Sequence, residues 1–451
     1  MAKHPTVFKH LLNVNKIHLE GLNLITNEDG DRELHLQVRP YKRDEHRCPI
    51  CNRHCPVHDY QSKDRSWRTL DFGTTQTYLH YTPARVKCPE HGVLTSSVPW
   101  AINNSRFTRD FDKTIAWMFT HMSRSAITNL MRLDWKTIGR CIERAKTELD
   151  PEPWKRFDNL KKIGIDETSY RKGHKYITVV VNHETNAVIW AADGYGREVL
   201  EKFFNLLTPE QRASIEHVSA DGAKWIHSTV TDYLPNAKRS IDPFHVVQWA
   251  LEASNTVRLD ELKNFKKQLN QYEKASRDKK GVTIHGCLEV TLAKQAKTKI
   301  EGIKKLKYAM GKSPENRTPT QQKNFELFVV NNPTLYQAWQ LKETLRIILK
   351  MKDPKEANAE LKTWIQNATQ STLTPFSDLA KKIKRHGKAI LNAITYKMNN
   401  ARIEATNNRI KLVSRKAYGF RNIDNFLAAI SLTCSGLPII LPGRLATSPG
   451  I

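Results

Sequence analysis

The chain has 451 residues, with 72 Lys and Arg against 46 Asp and Glu, for a formal charge of +26. An excess of this size, spread along the chain, points to a polyanionic partner, and the length allows roughly two to four domains with ample material for a core. The polar start Met1-Ala2-Lys3-His4 is no signal peptide, and no apolar run reaches the ~18 residues of a spanning helix, so a cytoplasmic protein without a membrane partner is expected.

Residues 1–105 read as an N-terminal domain. Alternation in Glu33-Leu34-His35-Leu36-Gln37-Val38 predicts a strand. Four of the seven cysteines then crowd between positions 48 and 88, which fits a local metal site in a reducing compartment better than a disulfide scaffold. Cys48-Pro49-Ile50-Cys51 and Cys88-Pro89-Glu90-His91 form two knuckles, each with ligand-type residues two apart. Zn²⁺ takes four thiolate or imidazole ligands tetrahedrally, so Cys48, Cys51, Cys88 and His91 are expected to hold a structural Zn²⁺. Cys55, His54 and His58 compete with His91 for the fourth position. Trp67-Arg68-Thr69-Leu70 and Thr77-Tyr78-Leu79-His80-Tyr81 are expected as strands of the same zinc ribbon.

Residues 106–150 turn to helical periodicity. Apolar spacing over 111–119, a second short segment at 125–130 and a third at 133–142, with Asp134 as N-cap, suggest a helix-turn-helix whose last helix reads the major groove. On that reading Lys136, Thr137, Arg140 and Arg144 face DNA; an ordinary three-helix packing unit is the plainer account. Asp150-Pro151-Glu152-Pro153 breaks the chain.

From 160 to 254 the pattern becomes strand-rich. Ile163-Gly164-Ile165 runs into Asp166, residues 176–181 and 187–191 form a hairpin, and His217-Val218-Ser219-Ala220 runs into Asp221. Alternating helices and strands follow to 241, which predicts a mixed sheet with helices packed on it. Residues 255–395 are lysine-rich and helix-favouring and read as an insertion, before a C-terminal part at 396–451 that carries a helix from Asn399 through Lys411.

On that helix, at 100° per residue, Asn400, Glu404, Asn408, Lys411 and Arg415 fall within about 80° of one another, while Ile403, Ile410 and Val413 form a separate stripe. A solvated charged face is the usual explanation of such a stripe. Together with two strand-end aspartates, however, Glu404 makes the set of acids that an RNase H-like fold uses to hold paired divalent metals. Two ions about 3.5–4 Å apart stabilise the attacking and leaving oxygens of a phosphodiester, and Mg²⁺ keeps waters, so three carboxylates suffice. Glu167, Asp193 and Asp242 are competing acids, and Asp242 serves equally well as a helix cap.

These motifs in this order resemble the ISL-three family of bacterial insertion-sequence transposases over nearly the whole chain. The resemblance is carried by Cys-Pro-x-Cys at 48, Trp-Arg-x-Leu at 67, the second knuckle, the helix-turn-helix, Ile-Gly-Ile-Asp-Glu at 163, Ser-Ala-Asp-Gly-Ala at 219, Asp-Pro-Phe-His at 242, and Glu-Ala-x-Asn-Asn-x-Ile-Lys at 404, ending near Gly419-Phe420-Arg421. It implies an α/β fold with an RNase H-like core interrupted by a large helical insertion. Asp166, Asp221 and Glu404 would be a catalytic DDE triad holding two Mg²⁺ (or Mn²⁺) ions. The N-terminal modules would bind terminal inverted repeats in double-stranded DNA. The enzyme would cleave with metal-activated water and join the freed 3′-hydroxyl to target DNA. Lys411, Arg415 and Lys416 are expected on backbone phosphate, in a homodimer or larger assembly associated with the nucleoid. Many relatives carry Cys-x-x-Cys where this chain has Cys88-x-x-His91, which leaves the fourth zinc ligand open. A metal-dependent nuclease without strand transfer and a non-catalytic DNA-binding regulator are the alternatives; the intact acid triad argues against the second.

Overall fold

The computed structural model describes residues 14–444 apart from 15, 29, 172, 174, 278–280, 282–287 and 397–400. Asn399 and Asn400, expected at the start of the Glu404 helix, lie outside the described residues.

The N-terminal part forms two sheets. Strands β1 (Ile17–Thr26), β2 (Arg32–Pro40), β4 (Arg65–Phe72) and β5 (Thr75–Tyr81) make one sheet in the order β1-β2-β5-β4, and β3 (Val57–Asp59), β6 (Arg85–Cys88) and β7 (Gly92–Thr95) make a three-stranded ribbon. Alternation in β2 buries Leu34, Leu36 and Val38 against Trp67, Leu79 and Trp100. The Trp67 and Leu79 strands pair with each other and with β2, not with the three-stranded β3-β6-β7 sheet, because their inward faces complete this apolar cluster.

Three helices follow, α1 (Arg109–His121), α2 (Arg124–Met131) and α3 (Trp135–Leu149). Each starts on a side-chain cap, Thr108, Ser123 and Asp134, accepting from the backbone N–H of Phe111, Ala126 and Thr137. The tight turn before α3 passes through Arg132 at φ +52°.

The central sheet has the order β10-β9-β8-β11-β12, from β8 (Lys162–Arg171), β9 (Lys175–Asn182), β10 (Val188–Asp193), β11 (His217–Ala220) and β12 (Lys238–Ile241). β8, β11 and β12 run parallel, and β9 and β10 are antiparallel additions. Helices α4 (Arg197–Leu206), α5 (Pro209–Ser214) and α6 (Lys224–Tyr233) belong to this region. On one face Ile163, Ile165 and Val180 pack against Phe203 and Phe204 of α4 and Ile226 and Val230 of α6. The opposite face is covered by the C-terminal helices introduced below, and α1–α3 share that core. The sheet is thus the middle of three layers.

Chain leaving β12 enters α7 (Pro243–Ala275), which runs unbroken through position 255, where the insertion was expected to begin. The insertion continues as α8 (Leu288–Gly311), α9 (Pro319–Phe325), α10 (Pro333–Ile348), α11 (Pro354–Gln370) and α12 (Thr374–Thr395), closed around its own core that includes Leu306, Leu345, Trp364, Phe376 and Ile383. Two helices return to the sheet, α13 (Ala401–Lys416) and α14 (Ile423–Cys434). The expected apolar stripe of α13 is the buried one: Ile403, Ile410 and Val413 join Ile177, Val179 and Val181 of β9. No helix among the described residues is long and apolar enough to cross a membrane.

α13 packs tightly on the sheet at Gly164, where a Cβ would sit 2.0 Å from Ile403 Cδ1 and 2.9 Å from His183 Nε2. A methyl group at Gly164 must displace the buried Ile403 side chain and strain its packing on β9. Gly164→Ala is expected to lower stability by about 1–3 kcal/mol, as overpacking does, and adding Ile403→Val should recover part of that loss in urea titrations. An unperturbed single variant would refute the contact.

Candidate catalytic and nucleic-acid sites

The parallel register positions the acids. His217 pairs with Lys162 and Ser219 with Gly164, so the same register carried two residues further sets Asp221 level with Asp166. On the other side Ala220 pairs with Ile241, which sets Asp242 level with both. Three aspartates therefore stand level across adjacent parallel strands: Asp221 and Asp242 directly follow β11 and β12, whereas Asp166, expected at a strand end, sits in the middle of β8, which runs on to Arg171 because β9 keeps pairing with it. Asp242 is committed to α7, whose Phe244 N–H it accepts at 3.1 Å, so its cap role is the one realised.

Asp166 lies on the face covered by α13. Its Oδ2 accepts from Asn407 Nδ2 at 2.6 Å, and its Oδ1 from the Glu167 N–H at 2.8 Å. Burial pushes the Asp166 carboxyl above the ordinary carboxylate range, and the Asp221 charge adds to this; the Glu167 N–H, His245 and Asn407 act in the opposite sense. Asp221 Oδ1 accepts from the Ala223 N–H at 2.8 Å, and its carbonyl accepts from buried Arg239 at 2.6 Å. Glu404 is exposed on α13, three residues before Asn407. Since Ile403 meets Gly164 and Asn407 meets Asp166, α13 runs along β8, and Glu404 projects about 60° around the helix from Asn407. Among the described residues the three carboxylates are not gathered within 4.8 Å of one another, as the cysteine cluster is.

The competing acids take other work. Glu167 accepts from the Gly196 N–H at 3.2 Å, and its carboxyl is raised first by burial and then by Asp221 and Asp166. Asp193 accepts from the Tyr170 hydroxyl at 3.0 Å at the end of β10, two strands from Asp166.

Several residues of this site had no separate sequence signal. Asn407 sits beside the expected Asn408, and only the helix phase distinguishes them: Asn407 is one turn after Ile403, whereas Asn408 is exposed. The insertion contributes more. Trp249 packs on Gly222, where a Cβ would lie 2.4 Å from its Cζ2, and Lys382 Nζ stands 3.6 Å from the centre of the Trp249 ring. Asn392 Nδ2 donates to the Arg239 carbonyl at 2.8 Å, fixing α12 to β12. His386 is lowered to about 4, by burial first and then by the charges of Arg239, Arg385, Lys382 and His227. Asp221 thus has Lys382 of α12 and Arg239 of β12 as neighbouring cations.

At the N-terminus, one ligand atom from each of Cys48, Cys51, Cys88 and His91 lies within 4.8 Å of the others. Cys51 Sγ to Cys88 Sγ is 3.7 Å, Cys48 Sγ to His91 Nδ1 3.7 Å, and Cys88 Sγ to His91 Nδ1 3.4 Å. Tetrahedral Zn²⁺ with Zn–S about 2.3 Å and Zn–N about 2.1 Å requires edges of about 3.8 and 3.6 Å, so the donor set fits the ion. Burial opposes ionisation of Cys88, yet the backbone N–H groups of Glu90 and His91, with Cys48 and Cys51, lower it to about 7. Of the competitors, Cys55 packs beside Cys88 but stands outside this four-residue group, its Sγ 3.4 Å from the Arg53 carbonyl, and His58 lies beside Asp59.

On the helix-turn-helix, Lys136 and Arg140 are exposed on one stripe of α3. Thr137 is tied to its cap, donating from N and Oγ1 to Asp134 at 2.9 and 2.6 Å. Arg144, expected to face DNA, instead turns inward and forks onto fully buried Asp112 with two 2.7 Å bonds. Such a desolvated carboxylate needs the paired guanidinium more than DNA does. On α13, Lys411 and Arg415 are exposed, while Lys416 reaches the Thr120 carbonyl at 3.5 Å and so leans on α1 instead of solvent.

Comparison with known proteins agrees with this layout. A family model described as a transposase matches residues 163–430. A second, for the helix-turn-helix domain of transposase family ISL3, matches residues 96–145. A third, for the zinc-finger of transposase IS204/IS1001/IS1096/IS1165, matches residues 44–91. The chain is similar to the transposase for insertion sequence element IS1557 of Mycobacterium tuberculosis, 36% identical over 98% of each chain. It is also similar to the transposase for insertion sequence element IS1001 of Bordetella parapertussis, 24% identical over 91% of this chain and 93% of that one. With one such model spanning more than half of its length, the chain belongs to the ISL3 family of insertion-sequence transposases.

Proposed function

We propose that this transposase cleaves DNA at the ends of its element and transfers the freed 3′-hydroxyl to target DNA, using Asp166, Asp221 and Glu404 in an RNase H-like core. The observation that carries the reading is the level placement of Asp166 and Asp221 on adjacent parallel strands, with the Glu404 helix docked on the Asp166 strand. The order β10-β9-β8-β11-β12, with three parallel strands and an antiparallel hairpin, supports the RNase H-like assignment. Paired Mg²⁺ or Mn²⁺ ions held by these carboxylates would supply charge stabilisation at the attacking and leaving oxygens. Two ions spread their outer ligands, so mutual approach of all three acids to one point is not required. Asn407 holds the Asp166 carboxylate in orientation, and the Ala223 N–H does the same for Asp221. Lys136, Arg140, Lys411 and Arg415 remain available to phosphates, and Lys382 adds a cation within electrostatic reach of Asp221. A structural Zn²⁺ on Cys48, Cys51, Cys88 and His91 would hold the ribbon, and joining two element ends calls for at least a dimer.

Asp166→Asn is expected to reduce strand cleavage about 10³-fold, the equivalent of several kcal/mol, while leaving end binding intact. Asn407→Ala should reduce it about 10- to 100-fold, as loss of a ligand-orienting partner does. Full cleavage by Asp166→Asn would sink the proposal.

A raised folded-state carboxyl favours folding while it is protonated, and that contribution is lost as pH rises through the raised value. Asp166 and Glu167 are both raised, so the metal-free protein loses their contribution toward neutral pH, where a divalent cation can replace the proton. The Tm increase on adding Mn²⁺ should therefore be larger near about pH 7 than near about pH 5, and Asp166→Asn should flatten the difference. Equal shifts at both pH values would contradict this.

Purified protein should contain one zinc per chain, and Cys51→Ser or His91→Ala should lose it together with a drop in Tm. Retention of zinc by His91→Ala would return the fourth position to another ligand.

A further inference from the structure

A cleft of about 950 Å³ opens between the start of α3 and the turn joining α13 to α14. Four arginines and one lysine line it, among them Arg124, Lys136, Arg140 and Arg421, against one carboxylate, Glu143. That charge selects for an anion. Two exposed rings also line it: Trp135 and Tyr418 lie with near-parallel planes, their centres 6.1 Å apart.

Three details mark this as a built site. Tyr418 holds φ +51° and is 73% exposed, so the backbone carries a left-handed residue to present a ring to water. That conformation is the left-handed cap of α13, closed by the Gly419 N–H on the Ser414 carbonyl at 2.8 Å. Gly419 follows at φ +85°, which lets the turn double back and leave the ring standing. Arg124 is only 6% exposed, yet its Nε finds no acceptor among the described residues. Its guanidinium lies 5.2 Å from the Trp135 ring centre and 5.6 Å from that of Phe420 and donates from Nη2 to the Trp135 carbonyl, which leaves donors over for a further acceptor.

Cations beside free ring faces match a nucleotide: phosphate for the first, base for the second. A duplex keeps its ring faces stacked inside the helix and cannot offer one to Trp135 or Tyr418. An unpaired nucleotide can, and the volume falls in the range of small-ligand sites. We infer that this cleft binds an unpaired nucleotide of a DNA strand, its base stacked on Trp135 and Tyr418 and its phosphate held by Arg124 and Arg421. The inference rests on DNA being the substrate but not on the carboxylate chemistry. It gives the enzyme a means to hold an opened strand between its DNA-reading helix and the helix that carries Glu404.

The test uses the full chain without added divalent metal and fluorescein-labelled oligonucleotides: a blunt duplex, the same duplex with an unpaired tail, and a single strand. Wild type should prefer the tailed duplex and the single strand. Tyr418→Ala and Arg421→Ala, both at exposed positions, should each weaken those two about 5- to 100-fold, the worth of one stacked base, and leave the blunt duplex within about twofold. Unchanged zinc content and Tm would verify folding. Equal losses on all three probes would make the cleft a duplex surface and overturn the inference. No loss on any probe, or no wild-type preference for unpaired DNA, would overturn it alone. Failure of wild type to bind any DNA would overturn it together with the DNA-binding reading, whereas loss of cleavage in Asp166→Asn bears only on the triad.

Discussion

The structure depends on one contact between segments 241 residues apart: α13 lying along β8, with Ile403 over Gly164 and Asn407 bonded to Asp166. A side chain at Gly164 would displace Ile403, and without Asn407 the Asp166 carboxylate would lose a donor in a partly dry setting. The contact brings Glu404 to the same side of the sheet as Asp166. It also lets Ile403, Ile410 and Val413 close the apolar layer over β9.

Because α13 must return to the sheet, the long insertion is anchored at both ends. At its start, Asp242 caps α7 directly after β12, and Trp249 covers Gly222 beside Asp221. At its end, α12 is tied to β12 through Asn392. Lys382 consequently comes within electrostatic reach of Asp221, with Trp249 under its ammonium. Together with the chain's net charge of +26, Lys382 and Arg239 set positive charge beside Asp221, which offsets part of the negative charge of the carboxylates.

The DNA-reading helices are not an independent bead. They share a core with α13 and α14, and Gly139 of α3 admits Asn425 so closely that a Cβ would lie 2.6 Å from the amide nitrogen. On the other flank, Arg68 donates to the Arg132 carbonyl at 3.4 Å and to Asp71 at 3.3 Å, which ties α2 to the first sheet. The ribbon has only a small core of its own, Cys48, Cys55, Val86 and Cys88, so a bound ion is the natural source of its rigidity.

Much of this was legible in the residues. The aspartate that closes β11, the Cys-x-x-Cys and Cys-x-x-His knuckles, the helix caps and the stripe of α13 are local patterns, and short-range sterics and periodicity fix them without reference to the rest of the chain; Asp166 reads as a strand end but lies mid-strand, because β9 prolongs β8 to Arg171. What the chain could not announce was which faces meet. Arg144 has the composition of a DNA contact, but the buried carboxylate of Asp112, 32 residues away, claims it. The Trp67 and Leu79 segments alternate as strands do, yet only the assembled core joins them to β2 and not to the three-stranded sheet. Asn407 and Asn408 are equivalent as residues, and only the phase at which α13 seats on Gly164 makes the first a partner of Asp166. The sequence by itself determined the family and put forward the acids and the metal-type ligands as candidates. Tertiary structure decided which cations are spent inside and which remain outside, because desolvation and close packing are properties of the assembled faces.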